Sequence, residues 1–276
     1  MGAPDRYAVF GHPVGHSRSP WIHQRFAELT GESLRYEARD VPPGGFDAAL
    51  REFLDAGGRG LNITLPHKLA AFAAATRHTP RARRAGAVNT LAVEEGRVLL
   101  GDNTDGAGLL RDLQANLGVA VTAQRVLLVG AGGAARGVLP ALLDARPQAV
   151  LIANRSADKA VALATHFSGE GPVAGTSLPG AREAFELVIN ATSASLSGAV
   201  PALDAGVIGP DTFCYDLAYG DEPTAFMRWA RERGATGVAD GVGMLVEQAA
   251  ESFELWRGKR PPTAPVLADL RRLIGG

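Results

Sequence analysis

The chain has 276 residues, enough for one large domain or two of ordinary size, and 46% hydrophobic against 21% charged residues is the balance of a folded enzyme, not of a disordered or fibrous chain. A formal net charge of −1 removes the electrostatic reason to expect nucleic acid or an anionic membrane as a partner. The single cysteine, Cys214, excludes an intrachain disulfide framework and a cysteine-built metal site, and between Phe213 and Tyr215 it reads as a buried packing thiol.

In chain order, Met1 to Arg6 has neither a signal h-region nor the hydroxyl residue that myristoylation requires. No apolar run reaches membrane-spanning length, so a cytoplasmic protein is expected. Arg6 to Phe10 reads as a first strand that ends in Gly11-His-Pro-Val-Gly-His-Ser-Arg-Ser-Pro20, with a helix from Trp21 to Leu29 behind it. Leu34 to Arg39 and Phe46 to Ala56 repeat strand and helix. Gly60 to Ile63 begins a third unit, stops at Thr64-Leu-Pro-His-Lys68 and re-enters a helix at Leu69. This alternation predicts a mostly parallel sheet with ligand loops collected beyond the strand C-termini. A short helix follows at Pro80 to Ala85. Ala87 to Val93 and Val98 to Leu100 read as strands joined by a Glu95-Gly96 hairpin turn. After Gly101-Asp-Asn-Thr-Asp-Gly106, a helix from Ala107 to Leu117 leads into a second region.

That region opens on Val126-Leu-Leu-Val-Gly-Ala-Gly-Gly-Ala-Ala-Arg-Gly137: an apolar strand, a glycine turn and a helix from Ala134 to Leu143. The pattern is that of a dinucleotide-binding βαβ unit. Gly130 permits the turn, Gly132 lets backbone approach a pyrophosphate, and Ala135 lets the helix pack on the strand. Phosphate would sit on the free N–H groups of the helix start. Further strands are expected at Ala149 to Ala153, Leu187 to Ile189, Phe213 to Asp216 and Thr236 to Ala239. Helices are expected at Asp158 to Phe167, Thr224 to Arg233, Gly243 to Trp256 and Val266 to Ile274, the last two returning to the first region. The expected fold is therefore α/β with two domains. Residues 1–105, completed by helices over 244–276, form a substrate-binding domain, and 106–243 form a Rossmann-type nucleotide domain.

At the end of the second nucleotide-domain strand stand Asn154, Arg155 and Ser156, with no acid to hold a ribose 2′-hydroxyl. A cation there suits the extra phosphate of NADP, and Lys159 adds a charge one turn on; the alternative is a solvated surface arginine. Lys68 and Asp105 both sit in loops at strand ends. Reduction of a carbonyl by hydride needs a proton donor, and a lysine held by a carboxylate can serve; each could equally be a surface charge. Ser17, Ser19, Thr64, Asn89 and Gln248 suit a polyhydroxylated substrate. Ser19 before Pro20 also fits a helix N-cap, and Asn62 and Asn89 also fit loop braces. No metal site is expected: His12 and His16 are separated by Pro13 and Gly15, and His23, His78 and His166 read as ordinary surface or helix residues.

Eight blocks, in order, resemble the shikimate dehydrogenase family: Gly11 to Pro20, Asn62 to Lys68, Gly86-Ala-Val-Asn-Thr90, Gly101 to Gly106, Gly130-Ala-Gly-Gly-Ala-Ala-Arg136, Asn154-Arg-Ser156, Asn190-Ala-Thr-Ser193 and Asp240-Gly-Val-Gly-Met-Leu245. The resemblance implies reversible reduction of 3-dehydroshikimate to shikimate by NADPH, in aromatic amino acid biosynthesis. By motif it implies Lys68 as catalytic acid/base and Asp105 as its partner. Ser17, Ser19, Thr64, Asn89, Asp105, Tyr215 and Gln248 are the implied substrate contacts. Gly130, Ala131, Gly132, Gly133, Ala134, Asn154, Arg155, Ser156, Lys159 and Gly241 are the implied cofactor contacts. The family commonly forms homodimers, with some monomeric members. Three positions depart from the usual pattern: Gln24 stands where asparagine is common, Lys159 where arginine is frequent, and Ser195 where glycine is common. The runner-up within the family is a quinate/shikimate dehydrogenase using NAD. A non-catalytic nucleotide sensor on the same fold is disfavoured because Lys68 and Asp105 are both present.

Overall fold

The computed structural model describes residues 3–95 and 98–275. The chain forms two compact units, 1–108 with 245–270, and 109–244 with 271–276. Among the described residues no helix is long and apolar enough to cross a membrane.

The first unit is built on a sheet of β1 (Asp5–Gly11), β2 (Leu34–Asp40), β3 (Gly58–Ile63), β4 (Arg77–His78), β5 (Thr90–Val93) and β6 (Leu99–Asp102), in the order β2-β1-β3-β5-β6-β4. The strands β2, β1 and β3 run parallel, as strand–helix alternation demands. The sheet as a whole is mixed, however, because β5 pairs antiparallel with both β3 and β6. The close succession of β5 and β6 leaves no room for the crossover that a parallel pair needs. The Gly96 half of the expected Glu95-Gly96 turn lies outside the described residues. Strand β5 starts at Thr90 instead of Ala87, and the two-residue β4 has no counterpart in the sequence reading.

Two reversals place β3 and β6 in the same direction, so their C-terminal ends, the end of β1 and the start of β5 share one edge of the sheet. One face is packed by Phe46 and Phe53 of α2 (Phe46–Asp55) against Phe10, Leu61 and Ile63, with Phe10 meeting both rings edge-on. The helices α3 (Lys68–Ala74) and α4 (Pro80–Ala85) cover the same cluster through Ala71 and Ala82. An aromatic set of Tyr7, His23, Phe26, Tyr36, Phe253 and Trp256 joins α1 (Ser19–Thr30) to α9 (Val242–Arg257), and the Trp256 indole donates to the Leu91 carbonyl at 3.0 Å.

The second unit holds an entirely parallel sheet of β7 (Arg125–Val129), β8 (Ala149–Asn154), β9 (Val173–Ser177), β10 (Phe185–Asn190), β11 (Ile208–Asp216) and β12 (Gly237–Ala239). Its order is β12-β11-β10-β7-β8-β9, so the winding reverses at β7. In β7 the alternation is literal: Val126 and Leu128 face one core cluster with Val138, Leu139 and Leu142 of α6 (Gly133–Asp144). Leu127 and Val129 face the other, with Val188, Cys214 and Phe226, the last from α8 (Ala225–Glu232). A strand covered on both faces must be apolar throughout, which is why it is conspicuous in the sequence. Helix α7 (Ala157–His166) follows β8. Helix α5 spans Asp105–Arg111 and gives way to a single π turn at Asp112–Asn116, where one continuous helix is expected from sequence. Here Asp112, fully buried, accepts from the Tyr215 hydroxyl at 2.7 Å and from Asn116 at 2.9 Å.

Candidate active site

Along the shared edge of the first sheet, the loop after β3 delivers Lys68 and the segment after β6 delivers Asp105. The Lys68 ammonium donates to Asp105 Oδ2 at 2.5 Å, with side-chain exposures of 11% and 7%. No other described residue accepts from that ammonium, so its remaining protons are available to a bound oxygen. Asp105's second oxygen accepts from Asn89 Nδ2 at 2.8 Å. A buried ion pair is tolerable when the remaining lone pairs are satisfied, and Asn89 meets that condition.

Asn89 is a hub. Its amide also reaches Thr104 Oγ1 at 2.8 Å and Gln248 Oε1 at 3.3 Å, while its carbonyl accepts from Thr104 N at 2.8 Å and Thr90 Oγ1 at 2.9 Å. Thr90 continues to Ser252 at 2.8 Å and to Asn62 at 3.2 Å. Asn62 accepts from the Tyr36 hydroxyl at 2.8 Å and pairs with His23 Nε2 at 3.1 Å. A chain of buried polar groups therefore runs from His23 and Tyr36 through Asn62, Thr90, Asn89 and Asp105 to Lys68.

The serine and threonine loops leave adjacent parallel strands, Phe10 standing opposite Ile63. They are tied by His12 N to Leu65 O at 2.9 Å and Thr64 N to Phe10 O at 2.9 Å, and each carries a cis proline, Pro13 and Pro66. Ser19 is not an N-cap, the alternative that its place before Pro20 left open. It is the first helical residue of α1, Arg18 is the cap, and the free Ser19 N–H is taken by Ser17 Oγ at 3.3 Å. His23 lies on α1 but not at its surface. It is fully buried and stacked 4.3 Å from Tyr36, and burial lowers its pKa to about 3 despite the bond to Asn62. Among the described residues its Nδ1 has no hydrogen-bond partner. Among the described residues no group of three or more His, Cys, Asp or Glu side chains is placed to hold a metal.

In the second unit the glycine turn lies at the end of β7, where the winding reverses, the usual place for a nucleotide in an open parallel sheet. Gly130 has φ +113°, and a Cβ there would stand 3.1 Å from the Ala191 carbonyl. Gly132 caps α6 without any side-chain bond and has nothing within 4 Å of where a Cβ would be. Space in front of uncapped N–H groups is what a pyrophosphate requires. Ala131 and Ala134 are half-buried beside it, and Ala135 is fully buried in the core between helix and sheet. Asn154 donates to Ser156 O at 3.0 Å across the turn after β8. Arg155, Ser156 and Lys159 are exposed, and Arg155 makes no ion pair among the described residues. With glycine space at the phosphates and an unopposed cation in place of an acid, this residue set fits NADP. Tyr215 is fully buried here, and burial, with Asp112 beside it, raises its hydroxyl pKa well above the ordinary value. Gly241 is compulsory: a Cβ would stand 2.3 Å from the Leu217 carbonyl.

Three family models match the chain: a shikimate dehydrogenase substrate binding domain over residues 9–91, a shikimate/quinate 5-dehydrogenase over 113–198, and a shikimate 5'-dehydrogenase C-terminal domain over 241–271. The shikimate dehydrogenase (NADP(+)) of Alkalilimnicola ehrlichii is 54% identical over 97% of this chain and 98% of its own, and that of Aromatoleum aromaticum is 55% identical over 99% of both. The chain belongs to the shikimate dehydrogenase family. Among solved structures, an Ael1 enzyme from Pseudomonas putida superposes with a TM-score of 0.87 at 46% identity, covering 96% of this chain and 98% of that one. Shikimate 5-dehydrogenase from Thermus thermophilus in complex with NADP(H) and shikimate gives 0.86 at 39% identity, covering 97% and 99%.

Against the family pattern, the Ser195 departure has a visible consequence. Its hydroxyl donates to Asp216 Oδ2 at 2.6 Å and accepts from Asn190 at 3.2 Å, contacts that a glycine cannot make. Burial raises the Asp216 pKa even though Ser195, Thr224 and Asn190 all donate to it. Gln24 is exposed on α1. Sequence reasoning missed the supporting polar residues His23, Tyr36, Thr90 and Ser252. The one local signal was Asn62, a residue type disfavoured in strands, standing between Leu61 and Ile63.

Proposed function

We propose that the chain is an NADP-dependent shikimate dehydrogenase that reversibly reduces 3-dehydroshikimate to shikimate, with Lys68 as its acid/base. The observation that carries this reading is the buried Lys68–Asp105 pair, which holds an ammonium with unused protons at a strand-end cluster of hydroxyl and amide groups. NADPH, when bound, supplies the hydride. Lys68 gives a proton to the oxygen as the ketone becomes an alkoxide, and takes it back when the alcohol is oxidised. Asp105 holds the ammonium in place, and Asn89 holds Asp105. Asn89, Gln248 and Thr64 are assigned to the substrate hydroxyls, Ser17 and Ser19 to the carboxylate-bearing end, and Tyr215 to a further contact. Gly130, Ala131, Gly132, Gly133 and Ala134 are assigned to the pyrophosphate, and Asn154, Arg155, Ser156 and Lys159 to the 2′-phosphate end. Gly241 is assigned to the nicotinamide end.

The domain assignment goes with this reading: substrate on 1–105 with the C-terminal helices, NADP on 106–243. We propose a cytoplasmic enzyme; family members occur both as homodimers and as monomers, and light scattering on the purified protein decides between the two. The deciding assay follows NADPH absorbance with shikimate or quinate, each with NADP or NAD. Shikimate with NADP is expected to give the highest kcat/KM; a higher value for quinate with NAD would instead establish the NAD-dependent quinate/shikimate dehydrogenase.

A further inference from the structure

Arg81 has no place in the reaction described above, yet it joins two of the segments that carry it. Its Nε and Nη2 form a fork on Asp102, at 2.8 Å to Oδ1 and 2.6 Å to Oδ2, and its Nη1 reaches Glu251 Oε2 at 2.8 Å. Asp102 ends β6, three residues before Asp105, and Glu251 lies three residues beyond Gln248 on α9. Asp102 is 1% exposed, and its Oδ1 also takes the Thr79 hydroxyl at 2.5 Å and the Asn103 N–H at 2.8 Å. Asn103 in turn accepts from Asp105 N at 3.2 Å and donates to Ala87 O at 2.9 Å. On its far side Glu251 is held by Arg260 at 2.5 Å. Burial alone would raise the Asp102 pKa, but the Arg81 guanidinium, the Thr79 hydroxyl and the Asn103 N–H together outweigh it and hold the carboxyl below its ordinary value.

We propose that Arg81 is a positioning residue for the substrate site: its guanidinium fixes the separation of Asp105 from Gln248, the two groups that Asn89 bridges. The inference rests on the functional reading above. A planar fork is needed because one guanidinium here engages both oxygens of one carboxylate and a second carboxylate at once, which a lysine point charge cannot do. Misplacement of catalytic groups by about 1 Å can lower rates about 100-fold.

The test compares wild type with Arg81→Lys, Arg81→Met and Glu251→Gln, measuring kcat, KM for shikimate, KM for NADP and the thermal midpoint. Arg81→Lys is expected to lower kcat/KM for shikimate about 10-fold and Arg81→Met about 100-fold, with KM for NADP unchanged, because a loosened clamp displaces the reacting groups. Glu251→Gln leaves the Asp102 fork in place, so a loss of only about threefold is expected, and it keeps the test open should Arg81→Met fail to fold. Wild-type kcat/KM in Arg81→Lys, or equal losses in the shikimate and NADP parameters, would overturn the clamp alone. A wild-type enzyme inactive on shikimate would overturn the functional reading and the clamp with it.

Discussion

In the first unit, the groups assigned to substrate chemistry include side chains kept from water: Lys68, Asp105, Asn89 and Gln248 are buried, and each is held by others. In the second, the groups assigned to the dinucleotide are backbone positions at Gly130 to Ala134 and exposed side chains at Arg155 and Lys159. The contrast follows from what each ligand needs. Proton transfer requires a donor placed within a few tenths of an ångström, and low dielectric strengthens the contacts that place it. A pyrophosphate is recognised by any ring of free N–H groups, and a terminal phosphate by a mobile cation. Substitutions in the first region should therefore damage turnover, and those in the second should damage affinity or cofactor choice.

The largest effect should come from Lys68→Ala, with kcat falling about 100- to 10,000-fold and little change in shikimate KM. A loss confined to KM would make Lys68 a binding residue and blur the contrast. Next is Gly130→Ala, which forces a side chain into φ +113° and against the Ala191 carbonyl. It should lower stability by about 1–3 kcal/mol and raise KM for NADP sharply; chemical denaturation and steady-state kinetics measure the two. Arg155→Asp should reverse the NADP/NAD preference while leaving kcat with the preferred cofactor near wild type, and an unchanged ratio would remove the phosphate-clamp role.

Buried His23 sharpens the comparison through pH. Its folded pKa lies near 3, below the unfolded 6.5, so the unfolded chain binds more protons between those values. The stability it confers is complete above pH 6.5 and is lost as pH falls toward 3, by about 1.4 kcal/mol per pH unit. His23→Gln should flatten urea-derived stability across that window. Smallest is Ser195→Gly, which deletes the bond to Asp216. It should cost about 1 kcal/mol and raise KM for NADP a few-fold without touching shikimate KM.

Legibility in the sequence tracked how local the cause was. The β7 run, the Gly130 turn and the α6 start were visible because a strand buried on both faces and a positive φ each leave a mark on adjacent residues. Strand β9 was not visible: Val-Ala-Gly-Thr-Ser is weakly apolar, and as an edge strand it pairs only with β8. The cap of α1 lies one residue earlier than Pro20 suggests, because a proline fixes where a helix begins only to within a residue, and the loop brings Ser17 round to serve the Ser19 N–H. His23 gave no signal of burial, since a histidine on an amphipathic helix looks the same whether its face meets water or Tyr36.

By itself the order of residues determined the α/β class, the family, the glycine cradle and which polar residues stand at strand ends. All of these are written in short blocks whose physics spans a turn or a strand. Only the tertiary structure decided who meets whom: Lys68 with Asp105 across 37 positions, Asn89 with Gln248 across 159, and Arg81 with Glu251 across 170. Hydrophobic period says which face turns inward, but the partner of a buried polar group is chosen by sheet order and helix return, which no local pattern encodes.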